Sequence, residues 1–190
     1  MRAKSICVFA GSSLGFDPAF AHAARSLGTM LAMRGYTLVY GGASVGLMGA
    51  VADAALHCGG TVVGVMPQFL IAKEVAHPGL TRLTVTASMH ERKQTMAELS
   101  DGFIAMPGSL GTIDEFFEAL TWAQLGLHSK PCGLLNVNGY YDALLEFLEV
   151  AVYRGLLSAN NRSLFLTDSD VGSLLQRMEI HRPSIEPKWM

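Results

Sequence analysis

The feature that most constrains this chain is its alternation of short, continuously apolar runs with longer stretches of helical period. Ser5 to Ala10, Thr37 to Tyr40, Thr61 to Met66, Arg82 to Thr86, Gly102 to Met106 and Pro131 to Val137 read as strands, and Ser163 to Leu166 offers a seventh. Strands that are apolar along their whole length belong to a sheet covered on both faces. Strands that alternate with helices form βαβ units with parallel pairing.

Helix signals fill the gaps. Asp17-Pro18 supplies an N-cap and a first-turn proline, and Gly35 ends that helix. A second helix is expected from Val45 to Cys58, before Gly59-Gly60. Ser88-Met89-His90-Glu91 is a capping box opening a helix to about Ser100. Further helices are expected from the Pro107–Thr112 turn to near Gly126, from Tyr141 to Arg154 and from Asp168 to Ile180. Gln68 to Leu80 reads as irregular.

At 190 residues the chain has room for one core. The expected fold class is α/β: a single doubly wound, Rossmann-like domain over residues 1–180, with a parallel sheet of six to seven strands. Residues 181–190, with two prolines and no period, are expected to form a C-terminal tail.

Composition narrows the function. Net charge is −2 with no basic run, so the footprint of a nucleic-acid binder is missing. No apolar run approaches the roughly 20 residues of a membrane span. Cys7, Cys58 and Cys132 form no CxxC pair and lie in apolar segments, which predicts buried free thiols and a cytoplasmic setting. Only 16% of residues are charged, against about 25% in average soluble chains. With so little charge to cover a small particle, a second subunit is expected to hide part of the surface.

Three turns are rich in Gly and Ser: Gly11-Ser12-Ser13, Gly41 to Gly46, and Gly108 to Thr112. All follow strands, where ligands of doubly wound folds bind. Glycine lets a backbone approach a ligand, and a helix start offers free N–H groups to an anion. Tight turns alone explain one such sequence; three at one sheet edge point to a phosphate. No GxxxxGK[ST] is present, and the second turn lacks the GxG half of the dinucleotide pattern. A nucleoside monophosphate or sugar phosphate therefore fits better than a dinucleotide. No HExxH or Cys/His cluster suggests a metal.

Met89, Arg92, Met96 and Leu99 share one helical face, so Arg92 interrupts an apolar stripe. Two readings stand: a buried Arg facing an anionic partner, or a packed stem whose head reaches water. Asp114 and Glu115 open the next helix, where acids complement the dipole; Glu115 also lies close enough to the glycine turn to face the same cavity as Arg92. Such a pair beside a phosphate cradle suits glycosidic cleavage, in which a carboxylate stabilises an oxocarbenium-like state or activates water.

Gly41 to Gly49, Ser88 to Lys93 and Pro107 to Glu115 resemble the three signatures of the "lonely guy" family of cytokinin riboside 5′-monophosphate phosphoribohydrolases, the last two matching its M-x-x-R-K and P-G-G-x-G-T-x-x-E motifs. Glu74 to Leu80 and Thr121 to Gly126 match as well. The resemblance implies release of free base and ribose 5-phosphate from AMP or an N6-substituted AMP, without metal or redox cofactor. It implies Arg92 and Glu115 as the catalytic pair. Glu74, Met89, Lys93, Gly108, Ser109, Leu110, Gly111, Thr112, Ile113, Asp114 and Thr121 would line the nucleotide, with Gly11, Ser12 and Gly42 as further contacts. It also implies a homodimer or larger assembly with the site near the subunit interface. Ser109 and Ala43 depart from the family's usual glycines; if position 109 required positive φ, Ser would cost about 1 kcal/mol. The rival expectation is a nucleotide carrier or sensor on the same fold.

Overall fold

In the computed structural model, which describes residues 4–71 and 76–183, the chain builds one sheet with helices on both sides. In chain order the elements are β1 (Ser5–Phe9), α1 (Pro18–Met33), β2 (Thr37–Tyr40), α2 (Gly46–His57), β3 (Val62–Pro67), α3 (Gln68–Ile71), β4 (Arg82–Thr86), α4 (Met89–Glu98), β5 (Gly102–Ala105), α5 (Leu110–Gln124), β6 (Cys132–Leu135), α6 (Asp142–Tyr153), α7 (Ala159–Arg162), β7 (Phe165–Asp168) and α8 (Val171–Ile180). The seven strands lie in the order β4-β3-β2-β1-β5-β6-β7, and every pairing is parallel. The chain winds outward from β1 to β4, crosses back, and winds the other way from β5. The direction reverses between β1 and β5, and this switch point is where doubly wound sheets hold ligands.

The period of two along each strand divides the core. Ile6 and Val8 of β1 face a cluster built with Leu27 and Leu31 of α1, Val51 of α2 and Leu174 of α8. Cys7 and Phe9 face the opposite cluster, with Met96 of α4, Phe116 of α5 and Leu148 of α6. Helix α1 begins as its sequence dictates: Asp17 Oδ1 accepts from Ala19 N at 2.9 Å, and Gly35 ends the helix with φ +70°. A methyl group on Gly28 would run into the Val51 carbonyl, so its absence lets α1 lie close against α2. At α4 the Ser88 hydroxyl accepts from Glu91 N at 3.2 Å. The Glu91 carboxylate reaches back one residue further than a standard capping box, to Ala87 N at 2.6 Å.

Several sequence expectations are corrected. Gln68 to Ile71 form a helical turn inside the stretch read as irregular, and Pro67 closes β3 rather than following it. The last strand runs Phe165–Asp168, later than expected. Helix α8 starts at Val171 because Asp170, not Asp168, caps it: Asp170 Oδ1 accepts from Ser173 N at 2.7 Å. Asp168 instead takes the Ser173 hydroxyl and Arg177. Cys7 and Cys132 are buried free thiols, but Cys58 is exposed at the end of α2. Of the tail, His181 to Pro183 are non-helical, and residues 184–190 lie outside the described residues. Among the described residues no helix is long and apolar enough to cross a membrane.

Candidate active site

The turns after β1 and β5 meet backbone to backbone. Gly11 N donates to Pro107 O at 3.1 Å. Gly11 O is also engaged, accepting from Leu47 N at 3.0 Å and Met48 N at 3.3 Å at the start of α2. Gly46, with φ +63°, packs its Cα where any side chain would strike the Ser12 backbone. Between the turns lies a cleft of about 170 Å³ lined by Gly11, Ser12, Ser109, Phe20 and Tyr140, among others.

Helix α5 begins at this cleft. Its N-cap is Ser109, with φ −115°, and no side chain caps it. Ser109 therefore does not occupy the left-handed region, so the condition under which serine would be strained in place of glycine is not met. Gly108 is the residue that tolerates no side chain, because a methyl group there would meet the Thr112 hydroxyl. The first amides of a helix have no intrahelical acceptor and lie at the positive end of the dipole. The exposed Ser109, Leu110 and Gly111 thus open the helix with an anion-ready backbone, while Thr112 is buried beneath them and Ile113 is half-buried.

Arg92 settles between its two readings: it is buried, with 8% of its surface exposed. Its Nε donates to Val65 O at 3.1 Å, and Nη1 lies 3.6 Å from Glu115 Oε1 and 3.9 Å from Met89 Sδ. Room for the guanidinium comes from Gly41, where a methyl group would strike Nη2. The sequence places Gly41 only within a glycine-rich turn, whereas Gly42 is expected to contact the nucleotide; in the structure Gly42 serves the backbone instead. Gly42 is buried, holds φ +87°, and gives its carbonyl to His77 N at 2.9 Å.

Burial pushes the Glu115 carboxyl above the usual glutamate range. The Arg92 and Lys93 cations pull it down, and Asp114 and Glu118 push it up. Lys93 Nζ sits 3.2 Å from Asp114 Oδ2 and 3.0 Å from Glu118 Oε2, so two carboxylates already match its charge. Burial works against that charge, but Glu118 and Asp114 outweigh it and hold the ammonium above the ordinary lysine value. Glu118 was missed in the sequence. Its signal was an i, i+4 spacing from Asp114 on one helical face.

Met89, Arg92, Lys93, Asp114 and Glu115 are therefore brought together, with the turn from Gly108 to Ile113 at their edge. Thr121 is not brought to them: it lies exposed on α5, donates to Phe117 O at 2.7 Å, and sits six residues past Glu115, about 9 Å along the axis. Glu74 lies outside the described residues. Among the described residues no three His, Cys, Asp or Glu side chains converge as metal ligands.

Residues 48–178 match a family described as possible lysine decarboxylase. The chain is 50% identical over 169 residues to the cytokinin riboside 5′-monophosphate phosphoribohydrolase of Rhodococcoides fascians, covering 88% of this chain and 85% of that protein. It is 45% identical over 185 residues to cytokinin riboside 5′-monophosphate phosphoribohydrolase LOG7 of Arabidopsis thaliana, covering 97% and 85%. Among solved structures, the molybdenum cofactor carrier protein of Chlamydomonas reinhardtii superposes with a TM-score of 0.70 over 95% of this chain and 100% of that one. At 22% identity that likeness is one of fold.

Proposed function

Because this chain belongs to the family of cytokinin riboside 5′-monophosphate phosphoribohydrolases, we propose that it hydrolyses the N-glycosidic bond of AMP or an N6-substituted AMP to free base and ribose 5-phosphate. The observation that carries this reading is the buried Arg92–Glu115 pair beside the uncapped start of α5. An anchored phosphate at one end and an acid of raised pKa a few residues away suit a bond to be broken between them.

The amides from Ser109 to Gly111 take the 5′-phosphate, with Gly108, Thr112, Ile113 and Asp114 shaping the turn. Ser12 and Gly11 close the cleft from the other side. The sugar then lies along the first turns of α5, with C1′ against Glu115. As the C1′–N bond breaks, positive charge grows on the sugar, and the Glu115 carboxylate stabilises it. A water oxygen bonds to C1′, one water proton leaves for solvent through Glu115, and the departing base takes up a proton. Arg92 favours the ionised form of Glu115, against the burial that opposes it, and fixes its orientation. Lys93 fixes Asp114 and Glu118, while Met89 forms an apolar wall. Glu74 and Thr121 are assigned to the nucleotide by family resemblance.

The protein is further read as a cytoplasmic homodimer or larger homo-oligomer. Leu125, Leu127, Phe147, Val150 and Tyr153 are exposed around α5 and α6, and a second copy would cover them. A monomer in light scattering at micromolar concentration overturns that part.

The test of the activity is direct. Purified protein incubated with AMP and with N6-isopentenyl-AMP should release base, read by chromatography, and Glu115→Gln should release almost none while still binding nucleotide. Nucleotide binding without base release by the unaltered protein would favour the carrier reading instead.

A further inference from the structure

The corner between β6 and α6 reaches the site through backbone carbonyls. Three successive carbonyls of the β5 turn are each held. Met106 O accepts from the Tyr141 hydroxyl at 2.6 Å, Pro107 O from Gly11 N at 3.1 Å, and Gly108 O from the Tyr140 hydroxyl at 2.6 Å. A trans peptide is planar, so its N–H points opposite to its C=O. The grip on Gly108 O therefore sets the direction of the Ser109 N–H, the amide at the uncapped start of α5.

Tyr140 is itself held. Its ring stands edge-on to Phe20 of α1, with centroids 5.3 Å apart, and to Tyr141 at 4.9 Å. The turn that carries it bends at Asn138, with φ +49°, and the Asn138 amide donates to Asp17 Oδ2 at 2.9 Å. That carboxylate also caps α1. The start of α1, the β6–α6 corner and the glycine turn are thus braced against one another around the cleft.

We propose that Tyr140 is a positioning residue for the substrate's 5′-phosphate: by fixing the Gly108 carbonyl, its hydroxyl aims the Ser109 N–H at the anion. It touches neither the base nor the glycosidic bond. The inference deepens the reading above and rests on it for the identity of the phosphate. The neighbouring Tyr141 supplies the contrast. Its hydroxyl holds Met106 O, whose peptide leads into Pro107 and so has no N–H to aim. One tyrosine steers a donor; the other only holds the turn.

The experiment compares unaltered protein, Tyr140→Phe and Tyr141→Phe by calorimetric titration with ribose 5-phosphate and with adenine, alongside AMP hydrolysis. In Tyr140→Phe the Kd for ribose 5-phosphate should rise about three- to tenfold, the worth of one hydrogen bond, with adenine affinity unchanged. KM for AMP should rise and kcat should hold, as expected for an interaction equal in ground and transition states. Tyr141→Phe should lower the melting temperature without selective loss of ribose 5-phosphate. Unchanged ribose 5-phosphate affinity in Tyr140→Phe, equal loss for both ligands, the same selective loss in Tyr141→Phe, or no ribose 5-phosphate binding by the unaltered protein would overturn the proposal. Failure to release adenine, with the selective loss intact, would instead count against the hydrolase reading and leave the anion contact standing.

Discussion

The two faces of the sheet are built to different ends. On the side of α1, α2 and α8, the core is built largely of alanine and leucine, with the buried Tyr40 giving its hydroxyl to Ala43 O, and α1 meets α2 across Gly28. On the side of α4, α5 and α6, the aromatic core around Phe103 and Phe116 stops short of the carboxyl edge, where Arg92, Lys93, Asp114, Glu115 and Glu118 take over. Burying an ion pair stabilises little, because desolvation offsets the attraction. The second face therefore gives up part of its packing energy to hold Arg92 and Glu115 away from water, with Asp114 at the exposed rim, and the first face is expected to carry more of the stability. Chemistry and stability can then be changed separately.

Glu115→Gln tests this division most sharply. Turnover should fall by about 10³-fold, the scale of losing a group that acts on the reacting bond. Stability should not fall with it. Because the folded carboxyl's pKa is raised above the unfolded value, the folded state holds that proton more tightly. Ionisation thus costs stability as pH rises from the ordinary glutamate range through the raised value, and the cost stays above it. Glutamine removes that cost, so the melting temperature at pH 7 should hold or rise. Arg92→Ala should also lose most of its activity, but with lower stability, because Val65 O and Glu115 then lose their buried partner. Thermal melts and adenine release on both variants check the pair.

On the other face, Gly28→Ala should do the reverse. The added methyl meets the Val51 carbonyl, and the two helices must separate. A loss of about 2 kcal/mol, or roughly 4–8 °C in melting temperature, is expected. The kcat per folded molecule should stay within about twofold of the starting value, the usual margin for a site a packing change does not reach. A collapse of kcat in the still-folded protein would break the comparison, because it would show that the α1–α2 face tunes the site.

How much of this was legible in the sequence follows the range of each interaction. Asp17, Ser88 and Gly35 act on residues within a turn of themselves, and their spacing gave the helix ends correctly. The parallel sheet followed from strands too apolar to face water. Arg92 and Glu115 could each be placed on a helical face, but their 3.6 Å separation depends on how α4 and α5 lie against the sheet. Gly41 could be placed in a glycine-rich turn, but its role for Arg92 was not legible, because it leaves space for a side chain more than 50 residues away. Tyr140 was invisible for the same reason: its partner, Gly108 O, is 32 residues distant. Cys58 misled because an apolar neighbourhood in sequence does not fix which way a helix end turns.

Within the charged face a smaller change separates the two acids bound to Lys93. Glu118 raises the Glu115 pKa through space and holds Lys93. Glu118→Gln removes one negative neighbour, so Glu115 should ionise at lower pH, and the acidic limb of the kcat profile should move down. Lys93→Met removes a positive neighbour and should move the limb up. Opposite movements sharpen the view of this face as a tuned cluster. Movement in the same direction would mean that loss of geometry, not charge, controls the limb. Among the described residues Asp114, Arg92 and the buried Cys7 thiol also act on or feel the Glu115 charge, and all three are unchanged in both variants.

The smallest effect is expected at Ser109, where the chain departs from the glycine of its family motif. At φ −115° a serine is unstrained, and its hydroxyl caps nothing. Ser109→Gly therefore relieves no strain in the folded state. It adds backbone freedom to the unfolded chain, worth a loss of about 0.5–1 kcal/mol in stability. In the proposed function the phosphate is held by the backbone N–H, which both residues have, so kcat/KM for AMP should stay within about twofold or rise slightly, well below the effect of losing a hydrogen bond to a charged group. A marked loss of kcat/KM would show that the serine hydroxyl itself binds the phosphate. The anion end of this site would then depend on a side chain as well as on the backbone that Tyr140 holds in place.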